Sequence, residues 1–367
     1  MPQLFIHKKV LIAPLDWGLG HTTRCIPLIK YLQRIGCEVI VASHGVQLIL
    51  LQQEFPGVNT VLLKGYNVYY TKFKRLLPLK IMLQTPKILL SVYQEHKWLQ
   101  KVIHDFKIDI VISDNRYGLY TTRVPCIFIT HQLQVKVANT WLESLIQKIN
   151  YSYINCYTEC WVPDFKGKLN MAGLLSHPSK IPSVPVKYIG MLSRFTPGPD
   201  LEKKYNYLFI ISGPEPQRTI FEKKILKVLS QLSGTIMIIR GKPGEQKIPP
   251  IPNNCTIVNH FTTKEFQEVF LLSEIIISRS GYTTIMEILS LQKKSILIPT
   301  PGQTEQEYLA LHLMEQHWCY SCSQDDDLLV HIRKAETFQF NFPSLNESSL
   351  HVVAEEFLNK FRIAEKE

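Results

Sequence analysis

The sequence predicts an α/β protein built from two doubly wound, Rossmann-like domains that face a cleft. Three observations predict it. Strands and helical stretches alternate along both halves of the chain. A stretch rich in Pro, Gly and charge, GMLSRFTPGPDLEKKYN at 190–206, separates the halves as a linker would. The 367 residues also exceed what one hydrophobic core usually serves. The boundaries follow as 1–190 for a first domain, 191–205 for a linker and 206–345 for a second domain. The last stretch, 346–367, reads as a helix packing back towards the first domain.

In the first half, KKVLIAPL is a strand. A Gly-rich turn and the amphipathic TTRCIPLIKYLQRIG follow, and Gly36 ends that helix before the strand CEVIVAS. Further strands are expected at NTVLLK, DIVISD, CIFIT, CWVP and VKYIG. The second half begins again with YNYLFIISG, then FEKKILKVLSQLSG as helix, TIMIIRG and CTIVNHF as strands and KEFQEVFLLSE as helix. EIIISRSG and SILIPTPG are strands around the helix TTIMEILSLQ. Short β-branched runs such as Ile275–Ile277 suit parallel strands covered on both faces, and such sheets bind ligands at their carboxyl edges.

With 45% hydrophobic and 20% charged residues the chain is globular rather than disordered. The apolar run before Asp16 is too short for the core of a signal peptide, and no apolar segment approaches a membrane span. A cytoplasmic protein with reduced thiols is expected. The lone C-x-x-C of Cys319 and Cys322, like Cys156 and Cys160, lacks partners at metal spacing and reads as structural.

Charge is uneven. Lys and Arg outnumber Asp and Glu by 22 to 10 in residues 1–190, against 19 to 21 in the rest, so the excess of +10 lies in the first half. Lys64 to Lys107 holds nine basic and two acidic residues among Tyr66, Tyr69, Tyr70, Phe73, Tyr93 and Trp98. Cations beside aromatics and LLPLKIMLQTPKILLSV fit an anionic lipid surface, hence a peripheral position at the inner membrane face. A nucleic-acid groove uses similar residues, but no recognisable motif accompanies them and no nucleic acid is expected. An idle basic helix face is the third reading.

The turn after the first strand reads Asp16-Trp17-Gly18-Leu19-Gly20-His21. Gly18 and Gly20 permit a tight turn and close backbone approach to a ligand. The third glycine of G-x-G-x-x-G is missing, which argues against a nicotinamide cofactor. A helix N-terminus disfavours the imidazolium, so His21 is a candidate base, with Asp16 on the same turn to orient it or share the task. In the second half, Ser278-Arg279-Ser280-Gly281 breaks a buried strand just before a helix. Free N–H groups, a glycine and an arginine at a helix N-terminus favour an anion. Thr284 and Glu287 have capping-box spacing, so Glu287 is also readable as a cap.

GLGHTTR, SGPEPQR, NHF, SRSGYTTIMEIL and PTPGQTEQEYLA occur in this order at strand-to-helix turns. Together they resemble a GT-B glycosyltransferase of the family 28 type, the group of the lipid II-forming N-acetylglucosaminyltransferase and the plant galactolipid synthase. The resemblance implies that the second domain binds a nucleotide sugar, UDP-linked in such relatives, and that Glu287 grips the ribose hydroxyls. It assigns Ser280, Gly281, Tyr282 and Thr283, with Ser212, Gly213, Arg218 and Arg279, to the diphosphate. It assigns Phe261 to the base, and Gln303 and Gln306 to the sugar hydroxyls. Ser-Gly-Pro-Glu-Pro departs from the family's more glycine-rich loop. The resemblance further implies an inverting transfer to a hydroxyl, lipid-linked or otherwise close to a membrane. No metal and no cofactor beyond the nucleotide sugar are expected. The alternatives are a nucleotide-sugar epimerase of the same fold and a noncatalytic basic protein that binds lipid or nucleic acid.

Overall fold

Apolar runs without alternation need cover on both faces, and the protein supplies it twice. The computed structural model describes residues 8–66, 77–136, 140–199, 201–242, 245–345 and 349–363. The aromatic and basic positions expected at Tyr69, Tyr70 and Phe73 lie outside them.

Among the described residues the first unit takes in 8–66, 82–192 and the chain's last helix. It contains β1 (Lys9–Pro14), α1 (Leu19–Arg34), β2 (Glu38–Ser43), α2 (Gly45–Glu54), β3 (Asn59–Leu62), α3 (Leu77–Phe106), β4 (Ile110–Asp114), β5 (Cys126–Ile129), α4 (Thr140–Ile154), β6 (Glu159–Val162) and β7 (Val186–Tyr188). The seven strands form one parallel sheet in the order β3-β2-β1-β4-β5-β6-β7. β4, β5 and β6 are buried along their whole length. In β4 that burial includes two polar residues, Ser113 and Asp114, at its carboxyl end. A core of Leu11, Val111, Phe128 and Cys160 underlies the sheet, with Leu99 and Val102 of α3 packed on it.

The second unit, 193–344, contains β8 (Tyr205–Ile210), α5 (Gln217–Val228), β9 (Ile236–Ile239), β10 (Cys255–Val258), α6 (Thr263–Leu271), β11 (Ser273–Ser278), α7 (Tyr282–Ser290), β12 (Lys294–Leu297), α8 (Thr304–Glu315), β13 (Tyr320–Ser321) and α9 (Leu328–Glu336). Its six strands are also parallel, in the order β10-β9-β8-β11-β12-β13. The short edge strand β13 has no counterpart in the sequence reading. Its two paired residues are too few for a period-2 pattern to register.

The last helix, α10 (Leu350–Ile363), belongs to the first unit. Phe357 meets the indole of Trp161 edge to face at 5.7 Å, and Tyr31 donates its hydroxyl to Glu355 at 3.0 Å. All eight cysteines are free thiols.

One helix start differs from expectation. α7 begins at Tyr282 with Gly281 as its N-cap and no side-chain cap, so Thr284 and Glu287 lie inside the helix and form no capping box. The apolar Tyr282, buried at the first helical position, starts the periodic face earlier than Thr284 suggests. The capping box of this unit is made by Thr262 and Glu265 at the head of α6.

Candidate functional site

In the first unit the sheet order places β1 between β2 and β4, so the chain leaves β1 to one side and its other neighbour arrives from a separate crossover. Such a switch point opens a crevice at the carboxyl ends of the two strands. Pro14 and Asp114, the last residues of β1 and β4, are register partners there. The turn that follows β1 is fixed at both ends by one side chain. Gln47 of α2 donates its amide hydrogens to the carbonyls of Leu15 at 3.0 Å and Gly18 at 2.8 Å. Gly18 caps α1 at φ 95°, a conformation that a side chain would strain.

His21 lies in the first turn of α1, and its Nδ1 is 3.2 Å from Oδ1 of Asp114. Arg24, one turn on, grips the same carboxylate. Its Nε donates to Oδ2 at 2.7 Å, and its Nη2 donates to Oδ1. The Nη2 is also 2.9 Å from Nδ1 of His21, and Nη1 is 3.1 Å from Nδ1 of His131, just beyond β5. Arg24 is 1% exposed and Asp114 fully buried. Burial lowers the pKa of His21 below its usual value, and the Arg24 cation lowers it further against the pull of Asp114. Burial alone would raise the Asp114 carboxyl, but Arg24 and His21 hold it well below the usual range. Both shifts favour a neutral imidazole beside an ionised, paired carboxylate.

The acid beside the His21 ring is Asp114, from another strand, rather than the expected Asp16, which accepts from the backbone N–H of Tyr66 at 3.1 Å. A Cβ on Gly65 would lie 2.0 Å from Oδ2 of Asp16, so a side chain there would displace that carboxylate. Sequence reading missed Asp114, Arg24, His131 and Gln47. The available signal for Asp114 was a carboxylate closing the otherwise apolar run DIVIS, where a buried charge needs a partner.

In the second unit the switch point lies between β8 and β11. The loops that follow β8, β11 and β12 carry most of the expected donor residues, and two of these loops are stitched together. Ser280 donates its hydroxyl to the carbonyl of Gln306 at 2.9 Å, and Oε1 of Gln306 accepts from the N–H of Thr300 at 2.8 Å. Ser212 is half-buried, and Gly213 is exposed with φ 107°. A Cβ added there would lie 3.9 Å from the Thr300 hydroxyl. Tyr282 and Thr283 are buried in the first turn of α7, Gln303 is the N-cap residue of α8, and Phe261 is half-buried between β10 and α6.

Glu287 is 3% exposed, and its Oε1 accepts from Nε of Arg194 at 2.7 Å. The guanidinium lies against the rings of Phe195 at 5.1 Å and Phe266 at 4.9 Å. Burial raises the Glu287 carboxyl, and Arg194 holds it down. Arg194 was not anticipated, because the linker composition gives no sign of it.

Two arginines do not stand where a diphosphate was expected to meet them. Arg279 is 1% exposed and donates to the carbonyls of Ile298, Pro299 and Gln217 and to the side chain of Gln324, with its guanidinium 4.1 Å over Phe221. Arg218 donates from Nε and Nη2 to the carbonyl of Arg240 at 3.0 and 2.7 Å, and it pairs with Glu222 at 3.2 Å. Both brace the loops from inside. Arg240 continues the second network to the side chain of Asn259 at 2.7 Å, next to the turn that carries Phe261.

Comparison with known proteins agrees with this division. The model of the glycosyltransferase family 28 C-terminal domain matches residues 207–335, and that of glycosyl transferase family 1 matches residues 9–156. An uncharacterized glycosyltransferase of Methanosarcina acetivorans is 23% identical over 346 residues, covering 84% of each chain. The UDP-N-acetylglucosamine--N-acetylmuramyl-(pentapeptide) pyrophosphoryl-undecaprenol N-acetylglucosamine transferase of Legionella pneumophila is 24% identical over 305 residues. That match covers 77% of this chain and 75% of the relative. In fold, the crystal structure of Acinetobacter baumannii MurG superposes with a TM-score of 0.55 at 15% identity, covering 97% of this chain and 99% of that one. Two parallel-sheet units, the second matched by the glycosyltransferase family 28 C-terminal domain and the first by glycosyl transferase family 1, make this chain a glycosyltransferase of GT-B fold.

Proposed function

We propose that the protein moves a sugar from a UDP-sugar to a hydroxyl of a lipid-linked acceptor, with inversion and without a metal, using His21 as general base. The observation that carries this reading is the buried cluster of His21, Arg24 and Asp114 at the switch point of the first unit, where burial and the Arg24 cation lower the imidazole pKa. Nε2 would take the acceptor proton. The acceptor oxygen's electron pair forms the new bond to the anomeric carbon, and the bond to the diphosphate breaks with its pair leaving on phosphate. In the second unit, Glu287 is a buried carboxylate suited to a ribose diol through charge-assisted hydrogen bonds. Backbone N–H groups at Gly213, Gly281 and Tyr282 are the donors suited to the diphosphate, a role that falls to them because Arg218 and Arg279 are engaged elsewhere. UDP is favoured by the name of the Legionella relative.

The lipid side rests on surface chemistry. Leu89, Leu90 and Tyr93 of α3 and Leu142, Leu145 and Ile149 of α4 are exposed. Lys87, Lys97, Lys101 and Lys148 stand exposed on the same helices. Both helices pack on one cluster, since Ile88 and Val92 of α3 and Tyr153 of α4 meet Leu15 and Tyr66. Among the described residues no helix is long and apolar enough to cross a membrane, so an association of this kind would be peripheral.

Thermal shift against UDP-, TDP- and GDP-sugars tests the donor half, since a ligand at a hundred times its Kd stabilises by about 2.7 kcal/mol. A UDP-sugar should shift the transition most. Absence of a shift with every nucleotide sugar would overturn the reading, and so would conversion of the donor to an isomeric sugar without an acceptor.

A further inference from the structure

One ring nitrogen in the first unit has two claimants. Nδ1 of His21 is 2.9 Å from Nη2 of Arg24 and 3.2 Å from Oδ1 of Asp114. A guanidinium only donates and a carboxylate only accepts. Nδ1 therefore carries no proton when Arg24 holds it, and carries one when Asp114 does. In a neutral ring the second nitrogen is then fixed: with Nδ1 bare, the proton sits on Nε2, which cannot accept from a hydroxyl. With the proton on Nδ1, Nε2 is open as a base. Among the described residues no hydrogen bond reaches Nε2.

The groups around the ring favour the closed form. Arg24 is fixed by its own bonds to both oxygens of Asp114 and by His131 beyond, so Nη2 cannot readily turn away from Nδ1. Asp114 is spread over several donors, since it serves Arg24 through both oxygens and Cys25 lies 3.6 Å from Oδ2. The Arg24 contact is also the shorter of the two.

We propose that Arg24 is a positioning residue that stores His21 as the Nε2–H tautomer in the ligand-free enzyme, and that the base is switched on when Nδ1 passes from Arg24 to Asp114. The proposal rests on His21 as the base. Its consequence is chemical economy: a base that is open before the acceptor arrives would equally activate water, and water attacking the anomeric carbon would destroy the donor.

The tautomer is measurable directly. Long-range ¹H–¹⁵N correlation on the wild-type protein at neutral pH, with the His21 ring assigned by its loss in His21→Gln, should show Nδ1 without a proton and Nε2 protonated. In Arg24→Lys a single ammonium cannot hold both carboxylate oxygens and Nδ1, so the ring should reverse. Acceptor-free hydrolysis of the UDP-sugar selected by thermal shift should then rise by about tenfold or more. A wild-type ring already protonated at Nδ1 overturns the proposal, whether or not the variant folds. So does a folded Arg24→Lys protein with the wild-type tautomer and hydrolysis rate. The base reading fails separately, if His21→Ala retains transfer, and the spectrum is unaffected by that outcome.

Discussion

An imidazole that takes a proton from a hydroxyl has to be neutral at working pH, and the surroundings of His21 keep it so. Burial and Arg24 lower its pKa below the usual 6.5, with Asp114 opposing them. The acid limb of kcat/KM should therefore lie below pH 6.5, and His21→Ala should reduce turnover by about a hundredfold or more with donor affinity unchanged. A limb at or above 6.5 in the wild type would point to another base. The same shift affects stability. Between the folded pKa and 6.5 the unfolded chain binds a proton that the folded one refuses, so this contribution is complete above 6.5 and is lost as pH falls. Glu287 has the opposite sign: burial raises its pKa, so its contribution is lost as pH rises above 4.5 towards the folded value. Glu287→Gln retains an oxygen for Arg194 but removes the charge. It should weaken UDP binding by about 1.5–3 kcal/mol, the worth of hydrogen bonds to a charged group. Unchanged UDP affinity in the folded variant, measured by calorimetry, would leave Glu287 as no more than a partner for Arg194.

Elements were more legible than the pairings between them. The runs KKVLIAPL and DIVISD identify themselves as strands, but that β1 and β4 are neighbours depends on a crossover of almost a hundred residues. Asp114 therefore could not be read as the partner of His21, and the nearer Asp16 took its place. Arg218 and Arg279 fail for a related reason. Sequence alone does not distinguish a guanidinium facing a ligand from one that satisfies interior carbonyls, and both residues do the latter. Glu287 was singled out because its helix follows a recognisable loop, and its partner in the structure, Arg194, comes from the linker. The closing helix α10 has an energetic test of its own. Phe357 is buried against Trp161, so Phe357→Ala should destabilise the protein by about 3–5 kcal/mol in denaturant titration, the usual cost of removing a buried phenyl ring. A loss below about 1 kcal/mol would mean that α10 is peripheral to the stability of its unit.

At the scale of the whole molecule, charge is divided more sharply than fold. Both halves are parallel α/β units, yet residues 1–190 carry 22 basic against 10 acidic residues and the rest 19 against 21, so the excess lies in the half that contains His21. A nucleotide-sugar site in the second unit, as proposed above, would not explain that placement. The proposed surface for a lipid-linked acceptor would explain it, since each cation near an anionic bilayer contributes about 1 kcal/mol and exposed leucines add apolar area. The protein should therefore sediment with vesicles containing anionic lipid at low salt. It should be released at 1 M salt, where the Debye length falls to about 3 Å. Neutralising Lys87, Lys97, Lys101 and Lys148 together should weaken sedimentation while leaving the thermal shift with UDP unchanged. Leu90→Ser with Tyr93→Ser should weaken it even where charge is intact, because these side chains supply the apolar part of the contact. A wild-type protein that ignores anionic vesicles at low salt would remove the membrane from the reading and direct the search for an acceptor to soluble hydroxyl compounds. Binding that survives 1 M salt in the wild type but not in the leucine–tyrosine variant would make insertion, rather than charge, the main source of affinity.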